Sequence, residues 1–378
     1  MNSPRRVGVN LLWLVPAVVG GSEEYATRLL RAVAKTEHDD IEIVLFALES
    51  FARAHPDLTN AFETRVLRLD GRLKPLRVLA ESSWLARHTR RFDLMHHMGG
   101  RIPLVSPVTR NVVTIHDLQP LEHPENFSRV KRIFLARALP RSARRARLVM
   151  TASEYVRQHV VDRLHVPLER TVAVPAPVEP RSATPSASRD APARLAPLIE
   201  GTVPYFLYPV ITYRHKNHRV LLDAFALLHA DHPEVRLVLT GGPGDAEDDV
   251  RAAIGRLGLD KAVIRTSRIE RPVLDALIDR ATAVVFPSRF EGFGLAVIEA
   301  LAAGCPVIAA NATALPEVVG GAGVLVDVDD VGGWTRAMAA QLDAPREAGA
   351  AVRRERAAAF APAVCAQRLL DAYRAALA

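Results

Sequence analysis

Cysteine is nearly absent. Two residues in 378, Cys305 and Cys365, leave no room for a disulfide framework, and neither stands at metal-ligand spacing. A reducing, cytoplasmic setting is the expectation. Long apolar runs are missing too, since none approaches the ~20 residues that a membrane-spanning helix needs. One short run, Val7 to Val19 behind Arg5 and Arg6, imitates a signal peptide. Asn10 and Pro16 interrupt it, and GGSEE follows where a small-residue cleavage site would stand. The sequence therefore predicts neither secretion nor membrane insertion. No recognised nucleic-acid-binding motif accompanies the basic residues, which argues against nucleic acid as a partner.

What is present has the makeup of a globular protein, with 49% hydrophobic and 24% charged residues. A chain of 378 residues exceeds one ordinary core and predicts two domains. The net charge of +7 is unevenly placed: eight basic residues lie between Arg129 and Arg147, interleaved with Ile133, Phe134, Leu135 and Leu139. Two readings stand side by side for this stretch. One is a solvated, arginine-rich pair of helices; the other is a surface for an anionic bilayer or a lipid-phosphate acceptor.

The most informative stretch is ATAVVFPSRFEGFGLAVIEALAAGCPVIAA, residues 281 to 310. Ala283 to Phe286 reads as a buried strand ended by Pro287 and Ser288. Glu291-Gly-Phe-Gly294 is a glycine-interrupted loop, Leu295 to Ala303 has helical composition, and Gly304 and Pro306 mark the helix end. Val307 to Ala310 is the next strand. Such strand–loop–helix–strand units carry ligands at the C-terminal ends of their strands. Backbone N–H groups of Phe293, Gly294 and Leu295 at the helix start, with the helix dipole, suit a diphosphate, and Gly292 and Gly294 permit close approach. Glu291 and Glu299, about 80° apart if helical geometry held between them, can address one ligand. Carboxylates accept hydrogen bonds from sugar and ribose hydroxyls.

Glu291 and Glu299, set between PSRFEGFG and EALAAGCPVIA, resemble the signature of retaining glycosyltransferases of family 4 (glycosyl transferases group 1). That resemblance implies an α/β chain of the GT-B fold: two Rossmann-like, doubly wound domains facing a cleft that holds the active site. The expected boundaries are 1–178 for an acceptor-side N-terminal domain, 179–201 for a linker rich in Pro, Ser and Ala, and 202–359 for a nucleotide-sugar-binding domain. The C-terminal helix, 360–378, is expected to cross back and complete the first domain, with Leu369, Leu370 and Tyr373 as its buried stripe.

Taken in order, strand-like runs at 6–15, 41–47, 64–69, 92–96, 111–115 and 147–151 alternate with helical or loop stretches, as in a doubly wound domain. Gly20 and Gly21 follow the first run, with Ser22 as the expected N-cap of a helix. A second series of strands is expected from Val203 and near 235–239, 262–265, 282–286, 307–310 and 323–326. Tyr213-Arg-His-Lys-Asn-His218 opens a helix that Asn217 is placed to cap, which puts Lys216 at a helix N-terminus.

Further roles come from the resemblance. Gly20 and Gly21 match the family's glycine loop beside the donor diphosphate. His116, in the triplet HDL, matches a histidine beside the transferred sugar; Asp117 holds its loop or orients it, and His97 is an acceptor-side candidate. Lys216 matches a diphosphate-binding lysine. The family's accompanying arginine slot falls at Ile211 here, which leaves Arg214 as the substitute. Arg265 to Glu270 matches the segment near the base. Glu291 would grip the sugar and Glu299 the ribose, and the HKNH variant points weakly to GDP-mannose.

The implied reaction moves a hexose, mannose favoured, from a GDP- or UDP-sugar to a glycan, lipid-linked or small-molecule hydroxyl. Configuration is retained through front-side displacement, in which the departing phosphate takes the acceptor proton. Competing readings are a GT-B epimerase, a phosphorylase, and a catalytically silent nucleotide-sugar-binding subunit. Asp327-Val-Asp329 spells a metal-binding DxD, but it follows a strand at a domain edge and is expected to be a turn. No cofactor and no essential metal are expected. The protein would act in the cytoplasm, with the inner membrane face as an alternative if the 129–147 stretch binds lipid.

Overall fold

The computed structural model describes residues 3–16, 18, 20–122, 128–181 and 195–378. Among the described residues, thirteen strands form two all-parallel sheets. The first contains β1 (Arg5–Asn10), β2 (Ile41–Leu48), β3 (Glu63–Leu67), β4 (Leu94–His97), β5 (Asn111–Ile115), β6 (Leu148–Thr151) and β7 (Thr171–Ala173), in the order β3-β2-β1-β4-β5-β6-β7. The second contains β8 (Tyr205–Pro209), β9 (Arg236–Thr240), β10 (Val263–Arg265), β11 (Ala283–Phe286), β12 (Val307–Ala310) and β13 (Val324–Val326), in the order β10-β9-β8-β11-β12-β13. Parallel strands are covered on both faces, so their inner members are continuous apolar runs such as IEIVLFAL of β2.

The chain divides into two units, Met1–Pro177 with Phe360–Ala378, and Val178–Ala359. Of the expected linker, 182–194 lies outside the described residues. Its described ends belong to the second unit: Arg181 forms ion pairs with Asp275 and Asp279 at 3.1 and 2.9 Å, and Ala196–Ile199 is a short helix. In the first unit the final helix, Pro362–Leu377, packs on helix Gly21–Ala34. It buries Leu369, Leu370 and Tyr373 completely, and the Tyr373 hydroxyl meets His96 Nδ1 at 2.8 Å.

Three local expectations are corrected. The first strand stops at Asn10 rather than Val15, because the Asn10 carboxamide oxygen accepts the Leu12 N–H at 3.1 Å and turns the chain. Helix Gly21–Ala34 takes Gly20 as N-cap, not Ser22, with Gly20 at φ 61°. Asn217 adopts a left-handed conformation at φ 57° and its side chain does not cap the following helix. Its amide instead donates to the carbonyls of Pro287 and Val328 at 3.2 and 3.0 Å. No helix among the described residues is long and apolar enough to cross a membrane.

Candidate active site

In an open parallel sheet, ligands sit beyond the strand C-termini where the strand order reverses. In the second unit that point lies between β8 and β11. The loop after β8 carries Lys216 and the loop after β11 carries Glu291. The Tyr208 hydroxyl donates to the Lys216 carbonyl at 2.6 Å and meets Ser288 Oγ at 2.9 Å, while Arg289 N–H donates to the His215 carbonyl at 2.8 Å. These bonds lace the two loops together.

The consequence is a direct ion pair, Lys216 Nζ to Glu291 Oε1, at 2.6 Å, with the two side chains only 15% and 12% exposed. Glu291 is held from behind by its own N–H, which donates to Thr313 Oγ1 at 3.0 Å. Gly294 follows as N-cap of helix Leu295–Ala302 at φ 108°, ψ 55°, a conformation open to glycine and strained for other residues. Its carbonyl accepts from Val297 and Ile298, so the amides of Leu295 and Ala296 precede the helix's own ladder. Phe293 turns its ring into the core, and Gly292 lies in the same loop.

Glu299 sits deeper, 5% exposed. The expected 80° offset from Glu291 does not apply, because the helix starts only at Leu295 and residues 291–294 are irregular. Its carboxylate binds Arg271 Nη1 at 2.5 Å, and Arg271 Nη2 reaches Asp275 at 2.9 Å. Arg271 was missed from the sequence, where it is one more arginine before a proline. Arg214 is exposed and turned to Asp249, at 3.2 Å, and to Asp245. Arg265 binds both oxygens of Glu247 at 2.7 Å and, with burial opposing, holds that carboxyl down to about 2. Asp327–Asp329 forms a turn in which Asp329 pairs with Arg289 at 2.8 Å.

The first unit gathers its own candidates at the ends of β1, β4 and β5. His116 is partly exposed; its Nε2–H donates to the Met98 carbonyl at 2.8 Å. Its ring meets Tyr25 edge-on at 5.1 Å and Trp13 at 5.9 Å. Desolvation pulls its pKa down to about 4, so the ring is neutral at pH 7 and Nδ1 is left as an acceptor. Asp117 Oδ1 accepts the Gln119 N–H at 3.1 Å and so shapes the loop. Gly20 and Gly21 open the first helix with nothing within 4 Å of where a Cβ would stand. His97 is a correction. It is 1% exposed, with Nε2 on Asn111 at 3.0 Å and Nδ1 on Asn10 at 3.3 Å, so it offers no face to an acceptor.

The family model for Glycosyltransferase Family 4 matches residues 19–182, and that for Glycosyl transferases group 1 matches residues 206–344. O-antigen chain mannosyltransferase B of Escherichia coli is 28% identical over 94% of this chain and 96% of its own. The D-inositol 3-phosphate glycosyltransferase of Mycobacterium avium is 40% identical, over 38% of this chain and 36% of its own. Among solved structures, Anabaena Alr3699/HepE in complex with UDP and glucose superposes with a TM-score of 0.73 at 19% identity, covering 98% of this chain and 99% of its own. WaaG, a glycosyltransferase involved in lipopolysaccharide biosynthesis, gives 0.70 at 15% identity, covering 97% and 98%. Two parallel Rossmann-like sheets, matching family models on both units and a relative aligned nearly end to end lead to one assignment: the chain is a glycosyltransferase, belongs to family 4 and has the GT-B fold.

Proposed function

We propose that this enzyme transfers a hexose, mannose in the first instance, from a nucleotide-diphosphate sugar to a hydroxyl acceptor, with retention at the anomeric carbon. The observation that carries the reading is the Lys216–Glu291 pair at the β8/β11 switch point, beside the start of helix Leu295–Ala302. A cation, a carboxylate and a helix N-terminus in one corner match what a diphosphate-linked sugar asks for: positive charge for the phosphates and an acceptor for sugar hydroxyls.

Lys216, with the amides of Phe293, Gly294 and Leu295, is assigned to the diphosphate, where negative charge grows as the glycosidic bond breaks. Gly292 and Gly294 keep that corner open. Glu291 takes the sugar hydroxyls, and Glu299, oriented by Arg271, takes the ribose. Gly20 and Gly21 leave room for a phosphate or sugar, and the neutral His116 ring positions the transferred sugar through its acceptor nitrogen. The preference for mannose rests on relatives named as O-antigen mannosyltransferases, of Escherichia coli and of Salmonella typhimurium, the latter 25% identical over 71% of this chain. Alr3699/HepE, solved with UDP, keeps UDP-sugars in the comparison.

A glycan or lipid-linked acceptor and peripheral contact with an anionic, inner-face membrane complete the proposal. Helix Arg129–Arg145 supports it by exposing Val130 (81%), Ile133 (50%) and Phe134 (42%) among Arg129, Lys131, Arg132 and Arg137. The deciding experiment is a thermal-shift panel of GDP-, UDP-, ADP- and dTDP-sugars. A ligand present at a hundred times its Kd stabilises the native state by about 2.7 kcal/mol. GDP-mannose is expected to raise the melting temperature, and a flat panel would refute the donor assignment.

A further inference from the structure

The order of the first sheet reverses between β1 and β4, and the loops after these two strands meet in a way that the donor assignment does not use. The Trp13 ring lies against Gly99 so closely that a Cβ there would stand 2.3 Å from the indole. Arg77 reaches over from helix Lys74–Ala80 and donates through Nη1 to the Trp13 carbonyl at 2.5 Å. Arg101, two residues past Gly99, pairs with Glu81, which is 1% exposed and also accepts from Asn10 at 3.3 Å. Glu81 opens a turn of π-helix, Glu81–Leu85, a local form common at functional sites.

Two side-chain donors are orphaned around this point: Trp13 Nε1 and Arg77 Nε are buried without a hydrogen-bond partner among the described residues, as is the Ser82 hydroxyl in the π-helical turn, which can donate as well as accept. Indole and guanidinium nitrogens only donate, and buried donors are ordinarily paired. Charge is unbalanced in the same sense. Two guanidiniums share one carboxylate, and Arg77 contacts no carboxylate among its described hydrogen bonds. Burial raises the Glu81 pKa, against the pull of the Arg101 and Arg77 charges, and lowers that of Arg77, so both groups are drawn out of water at this point.

We propose that the first unit carries an anion site, formed by Arg77, Arg101 and Trp13 Nε1 at the β1/β4 switch point, that takes the phosphate of a phosphorylated acceptor. A phosphate monoester supplies several acceptor oxygens and the missing negative charge at once. Calling the ligand an acceptor rests on the transferase reading above; the anion site itself does not. Two sources share the chemistry, a soluble sugar phosphate and a lipid phosphate. The rim contains exposed Leu73 (65%), Leu76 (46%) and Leu79 (63%) on one side. On the other, Phe134 lies 5.7 Å from the Arg101 guanidinium.

Calorimetric titration of the full chain with methyl phosphate tests the site. Arg77→Ala and Arg101→Ala should each weaken binding roughly 10- to 100-fold, the size of one charge-assisted hydrogen bond. Arg77→Lys should recover part of the loss, and Trp13→Phe should weaken binding by a smaller factor. Lys216→Ala, in the other unit, should leave the affinity as it is. Equal binding by both alanine variants, or its loss in Lys216→Ala alone, overturns the proposal. If the arginine variants do not fold, Trp13→Phe carries the test, and wild-type affinity in it overturns the proposal.

Farnesyl phosphate in matched detergent separates the sources. Binding at least tenfold tighter than methyl phosphate assigns the site to a lipid phosphate, and equal binding to a soluble one; either result with Arg77 dependence supports the site. GDP-mannose melting shifts are recorded on the wild-type chain. Their absence, with Arg77-dependent phosphate binding intact, would defeat the donor reading and leave the anion site standing. The reverse pattern would defeat the anion site alone.

Discussion

Removing the charge of Lys216 separates structure from catalysis at the proposed centre. In Lys216→Met the hydrocarbon stem stays and the ammonium goes, leaving Glu291 about seven-eighths covered without its 2.6 Å partner. Breaking a fully buried pair costs about 3–5 kcal/mol. The residual exposure of both side chains lets water reach them, so about 1–3 kcal/mol is the expectation here. For a unit of this size that is a melting decrease of about 2–12 °C. Glu291→Gln in the Lys216→Met background removes the stranded charge and should return most of the stability. Activity should not return with it. A missing diphosphate donor is expected to lower kcat/KM by about 10²–10³, or ~2.7–4 kcal/mol, in single and double variant alike. The assay is nucleotide release from GDP-mannose with acceptor, beside thermal melts of all three proteins. Turnover in the double variant within threefold of wild type would show that Lys216 only neutralises Glu291, and the phosphate assignment would fall.

Arg271→Ala should raise the KM for the donor about tenfold and lower the melting temperature, since Glu299 loses the partner that orients it; Arg271→Lys should recover stability more than KM. Unchanged KM in the alanine variant would exclude Glu299 from the donor site. Acid should destabilise the protein through buried imidazoles: burial lowers the pKa values of His96 to about 3 and of His97 and His218 to about 4, from an ordinary 6.5. The unfolded chain binds protons that the native one refuses, so stability is full above pH 6.5 and falls progressively toward pH 4. Melting temperatures measured between pH 7.5 and 4.5 should drop steadily, and a flat profile would contradict the buried neutral histidines. Deleting residues 360–378 strips three fully buried side chains, Leu369, Leu370 and Tyr373, from the first unit. At about 1.5–3 kcal/mol each that unit should not fold, whereas residues 178–359 alone should still give a cooperative melt; a cooperative melt from 1–359 indistinguishable from the full chain would refute this.

Strand content was legible because parallel strands covered on both faces turn into unbroken apolar runs, which need no partner to be recognised. The misreadings have physical causes. Leu11 to Val15 stays apolar after β1 has stopped, because the strand is ended by the Asn10 side chain and not by a change in hydropathy. The edge strand β7, Thr171–Ala173, has three residues and falls below the length at which a pattern is visible. Ser22 is a good capping residue by type, yet Gly20 at φ 61° starts the helix earlier and leaves Glu23 to bond His55 at 3.0 Å. Local preference gave way to backbone geometry that a sequence does not display.

The candidate site was legible to a different depth at each residue. Lys216 and Glu291 stand 75 positions apart, and resemblance named both without revealing that they touch. Their contact follows from strand order, since β8 and β11 are neighbours while β9 and β10 lie between them in sequence. Arg271 carries no local mark, and its meaning comes from a carboxylate 28 residues away. The histidines show the converse. His96, His97 and His116 all sit at strand ends and look alike in sequence. Burial and hydrogen bonding assign the first two to the interior, His96 between Tyr373 and Thr114, His97 between Asn10 and Asn111. His116 alone keeps an exposed face. Composition identifies groups able to do chemistry; their partners decide which remain available, and those partners are set by which strands the fold makes adjacent.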